Sequence, residues 1–502
     1  MSVLESLVGE TQLEFHRPWP RAIVGSADWL RAISDLSAGH YELVAQWGES
    51  AAVHLALRSR SDNDLAILTL ECPDGKFPSV ARLHPPALRL ERTIRDLHGL
   101  EPDGLDDTRP WVDHGRWGVR HPLGARQATN DGGTLYNFLP ATGESLHEIG
   151  VGPVHAGIIE PGFFLFRANG EAVVRLEERL GYVHRGIEQL MIGASLDHAI
   201  RLAGRVSGDS TVAYAFAFAR AAEGALDIKV PVRAAWLRAM MAEWERIANH
   251  LGDFGAICND ASFAIMQAQC AILREKVLRC CAACFGHRMM RDGITVGGVA
   301  ADIDSNAISL CSRLVLEIAQ RLPRLFELYD KTASLQDRTV GAGVLRCELA
   351  AQYACGGFVG RASGRRFDAR KAHVFGPYDQ FVFEVPVLNE GDVNARVSIR
   401  IREIEQSLSI IRQILDRLPP GPVVISSAKQ DGSREGAALV EGFRGDIFAW
   451  MRIAAGKVEH CHLRDPSWFQ WPLLEAAIEG NIVADFPLCN KSFNCSYAGH
   501  DL

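Results

Sequence analysis

Four stretches of this 502-residue chain place reactive side chains at spacings that could do chemistry. The first, RVSGDS, sets Ser207, Asp209 and Ser210 at the head of an apolar run, behind Arg205 and around Gly208. Small polar residues there suit a helix cap, where their oxygens accept backbone N–H bonds, and equally the wall of a ligand site. The second, GPVHAGIIEPG, carries His155, Ile159 and Glu160 among glycines and prolines, whose backbone constraints shape a sharp loop. The third, HRGIEQLM, puts His184, Arg185 and Glu188 within one helical turn. The imidazole and carboxylate at i and i+4 would then face each other, as a proton-transfer pair or as a surface ion pair. The fourth, EHCHLRDPS, alternates His460, Cys461 and His462. In a strand the two imidazoles share a face, but no third ligand follows nearby, which favours a structural role.

The chain has 12 cysteines. Cys280, Cys281 and Cys284 cluster within a helix-like run and contain one CxxC. Without a second pair or an adjacent histidine pair, that spacing favours packing as small hydrophobes over zinc. Cys489 and Cys495 match no common zinc or iron–sulfur spacing. No glycine-rich phosphate loop is present, and no metal site is expected in this chain.

The elements that must position these residues fall into two units. Residues 1–125 read as an α+β unit. DWLRAISDLS and ALRLERTIRDLHGL have helical spacing, and YELVAQWG, AAVHLALRS and DLAILTLECP read as strands. A turn-rich stretch over 126–139 reads as a linker. Residues 140–502 start with β-like segments and become mainly helical, with many Ala, Gly and Ser residues that allow close helix packing. A chain of this length exceeds one ordinary core. Its net charge of −8 gives no general attraction to nucleic acid. The apolar run over 211–219 ends at Arg220, well short of a membrane span. MSVLESLVGETQLEF lacks the basic start and apolar core of a signal peptide. The expected protein is cytoplasmic and reaches a membrane only through partners.

GPVHAGIIEPG, LGYVHRGIEQLM, ITVGGV, KAHVFGPYDQFVFEVPVLNEGDVNARVSIRIREIEQSL and VADFPLCNKSF occur in that order. Together they resemble the large subunit of membrane-bound, energy-converting [NiFe]-hydrogenases of the hydrogenase-4 and formate hydrogenlyase type. That subunit is homologous to the quinone-site subunit of respiratory complex I. Residues 1–125, with FPSVARLHPPALRLERTIRDLHGL, resemble the small peripheral subunit of complex I, often fused in front in this lineage. The resemblance implies a small α+β domain followed by a large, mainly helical hydrogenase-type domain.

In the family an Arg-Val-Cys-Gly-Ile-Cys stretch supplies two metal-ligand cysteines, which fall here at Ser207 and Ser210. The second ligand pair falls at Ser496 and Gly499, with Cys495 out of register. Soft metals need those thiolates, so the resemblance implies a lost nickel–iron centre. The two residues that hold the quinone head group in complex I fall at Ile159 and Gly208, and both hydrogen-bonding groups are missing. The acidic partner of the quinone-site histidine falls at Asp260, and the hydrogenase proton-transfer glutamate at Glu160. If buried, such carboxylates have raised pKa values and relay protons.

The resemblance implies a subunit of a complex I-like oxidoreductase that passes electrons from NADH, ferredoxin or formate to quinone or another acceptor, with possible ion translocation. Glu160, His184, Glu188 and Asp260 are the proton-path candidates. This chain would bind no cofactor itself. An iron–sulfur cluster is expected on a small-subunit partner, NADH only through partners, and antiporter-like subunits in the membrane. The contrasting expectation is a non-catalytic scaffold in an antiporter-like or ion- or bicarbonate-handling assembly.

Overall fold

Runs of Leu, Val, Ile and Ala between short turns build the first sheet. The computed structural model describes residues 13–125, 128–129, 136–143, 145–373, 375–425 and 432–502. The first twelve residues of the signal-peptide reading, and most of the linker over 126–139, lie outside them. Strands β2 (Arg21–Ile23), β3 (Tyr41–Glu49), β4 (Ala52–Ser59) and β5 (Leu65–Glu71) form a sheet in the order β2-β5-β4-β3. One face packs on α1 (Ser26–Ser37) and α2 (Leu88–His98), through residues such as Leu43, Leu55, Leu68, Ile33 and Ile94. The other face is covered too, so every residue of β3 is buried. Two buried faces explain why these strands run apolar rather than alternate cleanly.

What covers the second face comes from the far end of the chain. Strand β1 (His16–Arg17) pairs in parallel with β9 (Arg434–Glu441), which continues through β10 (Asp446–Ala454) to β11 (Lys457–Arg464). Val44, Trp47 and Ile67 of the first sheet meet Leu439, Phe448 and Trp450 of this second one. Arg21 and Glu435, 414 positions apart, close the contact with a buried ion pair at 2.6 Å.

A third sheet, β6 (Leu146–Val151), β7 (Phe163–Asn169) and β8 (Ala172–Arg179), is an antiparallel meander, and the GPVHAGIIEPG loop joins its first two strands. The short α3 (Ile187–Met191) follows. The helical core consists of α4 (Thr211–Ala225), α5 (Val232–Asp260), α6 (Ala264–Phe285), α7 (Ser305–Lys331) and α8 (Val393–Arg417). Helix α4 lies directly on the second sheet. A side chain at Gly436 would put its Cβ 2.0 Å from the Ala221 carbonyl, so glycine is what lets helix and strand approach this closely. The chain ends in α9 (Ser467–Ile478), α10 (Phe486–Phe493) and α11 (Tyr497–Asp501).

Candidate functional site

Ser210 stands at the N-cap position of α4, but its side chain accepts no backbone hydrogen bond there. Glu245 of α5 caps the helix instead. Its two carboxylate oxygens accept the Val212 and Ala213 amides at 2.7 and 3.0 Å. That frees Ser207, Asp209 and Ser210 for other partners. Arg444 grips Asp209 through both ends of its guanidinium, at 2.8 and 2.5 Å. Ser207 Oγ donates to Asp209 Oδ1 at 2.7 Å and Ser210 Oγ to the same oxygen at 3.3 Å. Ser207 Oγ also lies 3.0 Å from Ser496 Oγ, and Ser496 Oγ accepts the Gly499 amide at 2.9 Å. The structure thus gathers Ser207, Asp209, Ser210, Ser496 and Gly499 at one place, from segments 289 positions apart.

The chemistry of that place is set by its donors. Burial would raise the Asp209 carboxyl, but Arg444 and the two serine hydroxyls outweigh it and hold it below the usual range. A neutral serine hydroxyl is a hard, weak ligand, and the one carboxylate already saturates a guanidinium. Gly499 closes the site further. A Cβ there would lie 2.5 Å from Asp465 Oδ2. Asp465 is itself fixed, accepting from Tyr214 Oη at 2.6 Å and from the Ser467 amide at 2.8 Å. These residues do not fit a thiolate-bound nickel–iron pair.

The GPVHAGIIEPG loop reaches the same segment. Glu160 accepts the Ala498 amide at 2.9 Å, and His155 Nε2 stands 3.4 Å from Tyr497 Oη. Glu160 is exposed on this chain. The loop also presents Val154 and Ile158 to solvent, at 79% and 98% exposure, while Ile159 is half-buried against the core. Gly208 is exposed, with open space where a side chain would stand. Arg205 turns away to Asp292, at 2.7 and 2.8 Å. Asp260, at the end of α5, is pushed up by burial against the pull of Lys491, and among the described residues it makes no hydrogen bond to this cluster.

His184 and Glu188 do not pair with each other. Gly186 between them sits at φ +63°, so helix α3 starts only at Ile187 and the shared turn is absent. His184 Nδ1 donates to the Asp501 carbonyl at 2.7 Å. Glu188 accepts from His462 Nδ1 at 2.9 Å and from the Leu463 amide at 3.0 Å. Burial works to raise Glu188, but His462 and that amide hold its carboxyl below the usual range. Both residues line a cavity of about 50 Å³ with Trp47, His98, His462 and Asp501. At roughly 10–15 Å³ per water this is space for a few waters. His98 Nδ1 and His462 Nε2 are buried with no protein partner, which suits a hydrated chamber. His462 therefore joins this group and His460 does not, since His460 lies beside Glu49 at 3.9 Å.

Arg444, Asp465 and Glu245 were not legible from spacing. The signal for Arg444 was the GFRGD turn, where glycines flank a lone arginine. For Glu245 it was a run of charges, EWERIANH, inside an otherwise apolar helix. Burial lifts the Glu245 carboxyl from the ordinary 4.5 to about 8, against the two amides that pull it down. Folding therefore takes up a proton here. The stabilisation is fully present below about pH 4.5 and is lost as pH rises through about 8. Glu245→Gln flattens this part of the stability–pH curve, and Glu245→Ala orphans two amides at a cost of about 2 kcal/mol, both read from urea midpoints between pH 6 and 9.

Known proteins resemble this chain over most of its length. The family described as "Respiratory-chain NADH dehydrogenase, 30 Kd subunit" matches residues 22–130, and "Respiratory-chain NADH dehydrogenase, 49 Kd subunit" matches residues 264–435. Formate hydrogenlyase subunit 5 of Escherichia coli (strain K12) is 30% identical over 437 residues, covering 85% of this chain and 77% of its own length. Hydrogenase-4 component G of the same organism is 30% identical over 443 residues, covering 86% and 77%. The structure is similar to one solved for the membrane-bound sulfane sulfur reductase, an archaeal respiratory membrane complex. The TM-score is 0.67 with 26% identity, over 72% of this chain and 99% of that one. The chain belongs to the family of large subunits of membrane-bound hydrogenases and complex I-like complexes, here carrying the 30 Kd-type and 49 Kd-type parts in one polypeptide.

Proposed function

We propose that this chain serves a membrane-associated, complex I-like oxidoreductase without a nickel–iron centre. The observation that carries the reading is the Arg444–Asp209 ion pair with its serine shell, at Ser207 and Ser210, two positions the resemblance assigns to the family's ligand cysteines. The sulfane sulfur reductase supports it, as a similar complex that is named for sulfane sulfur reduction and not for hydrogen turnover. The electrons, from NADH, ferredoxin or formate, would come from an iron–sulfur small subunit. The loop bearing exposed Val154 and Ile158, beside the serine cluster, offers that partner an apolar contact. No helix among the described residues is long and apolar enough to cross a membrane, so attachment at the cytoplasmic face would run through membrane subunits. Glu188, His462 and the cavity beside His184 would supply titratable groups for a proton route, with quinone or another acceptor beyond it.

The degenerate centre equally suits a scaffold that keeps only the interfaces of the fold. The test is purification of the complex from its own cell, followed by nickel and iron analysis and a hydrogen-turnover assay. The oxidoreductase reading expects iron from a copurifying iron–sulfur subunit, no nickel and no hydrogen evolution. Stoichiometric nickel overturns it. Membrane subunits without iron favour the scaffold.

A further inference from the structure

Cys280 and Cys284 lie one turn apart on α6, and Cys311 faces them from the second turn of α7. The Cys311 sulfur is 3.6 Å from each of the other two, and all three sulfurs lie within 4.8 Å of one another. None is in a disulfide, and their exposures are 3%, 7% and 0%. This group lies outside the serine cluster and outside the cavity beside His184.

We propose that Cys280, Cys284 and Cys311 form a three-sulfur site for a soft d10 cation, Cu(I) or Zn(II). The distances carry it. A cation about 2.3 Å from each sulfur sets the sulfurs roughly 3.8 Å apart in a tetrahedral arrangement and about 4.0 Å in a planar one. The two 3.6 Å contacts of Cys311 lie within a few tenths of an ångström of these separations, and the Cys280–Cys284 distance falls within 4.8 Å. The donor set carries the choice of ion. Three sulfurs with no carboxylate in the group exclude hard cations and select thiophilic ones. Among the described residues no fourth ligand joins the group, which favours three-coordinate Cu(I) over Zn(II), whose fourth position would fall to water. Binding replaces thiol protons with the cation and releases them to solvent, with no change in oxidation state. Packing alone would be served as well by Ala or Val at these positions, without bringing three thiols from two helices to one point.

The test uses the full chain, purified reduced and metal-free, titrated anaerobically with Cu(I) and separately with Zn(II) against a chromophoric chelator. To subtract any metal taken up by the other nine cysteines, the readout is the difference from the Cys280→Ser, Cys311→Ser double variant. The proposal expects the wild-type chain to withhold one additional equivalent of Cu(I), or of Zn(II) if water completes the site. A second readout is alkylation of Cys284, counted by mass spectrometry in the folded wild-type chain. Bound metal should slow it at least tenfold, and this needs no variant to fold. Equal retention by both proteins, with alkylation unchanged by either metal, overturns the site and leaves a packing cluster.

Discussion

Replacing Arg361 with alanine lowers the free energy of unfolding by about 3–5 kcal/mol, the cost of breaking a fully buried ion pair from one side. Arg361 has no exposed surface. Its Nε donates to Glu403 at 2.7 Å, and its Nη1 to Glu441 and to the Phe367 carbonyl, both at 2.8 Å. Glu403 also faces His250 at 2.8 Å and Arg246 at 3.5 Å. Arg246 in turn leans on Glu243, which Arg370, Tyr378 and Ser407 complete. The array ties α5 and α8 to β9 through the centre of the helical domain. Burial drives the His250 imidazole below its ordinary value, so it adds no charge to offset a lost guanidinium. Truncation therefore leaves Glu403 to Arg246 at 3.5 Å, and leaves the Glu441 carboxylate with the Ala369 amide and, among the described residues, no ion pair. Arg361→Lys recovers only part of the loss, because a compact ammonium cannot span two carboxylates. Denaturant midpoints on the full chain measure both variants, and a loss under 1 kcal/mol for alanine would show that the array relaxes freely.

Substituting cysteine for Gly499 costs about 3 kcal/mol and does not bring nickel back. Overpacking alone accounts for about 1–3 kcal/mol. Displacing Asp465 adds the loss of its bonds from Tyr214 and Ser467, in a place where that carboxylate is 1% exposed. Ser207→Cys and Ser496→Cys, by contrast, change little volume and cost under about 1.5 kcal/mol each. The variant with cysteine at 207, 210, 496 and 499 is expected to accumulate poorly and to contain no nickel by elemental analysis. Wild-type yield together with stoichiometric nickel in that variant would refute the steric argument.

Much of the architecture was legible because periodicity reports burial. The strands over 41–71 and the long helices follow from it directly. The gathering of Ser207 with Ser496 was legible only through the family resemblance, since no local signal links positions 289 apart. Local spacing misled at His184 and Glu188, where one glycine in the left-handed region splits a turn that the residue types suggested. Cys311 escaped for the opposite reason. It stands alone in its own helix, 27 positions from Cys284, and only the antiparallel packing of α6 and α7 gives it company. Arg444 and Glu245 serve polar groups that other segments leave unpaired, and such needs exist only after folding.

The pairing of β1 with β9 has a consequence on the ribosome. His16 leaves the exit tunnel more than 400 positions ahead of its partner Glu435, as the neighbouring Arg21–Glu435 pair at 414 shows. At about 5–20 residues per second the leading segment waits roughly 20–80 s for its place in a sheet. Throughout that interval one face of the first sheet, with Trp47 and Ile67, has nothing to cover it. The nascent chain is therefore most exposed to chaperone capture, and to misassembly with its neighbours on the same message, until synthesis has passed residue 464.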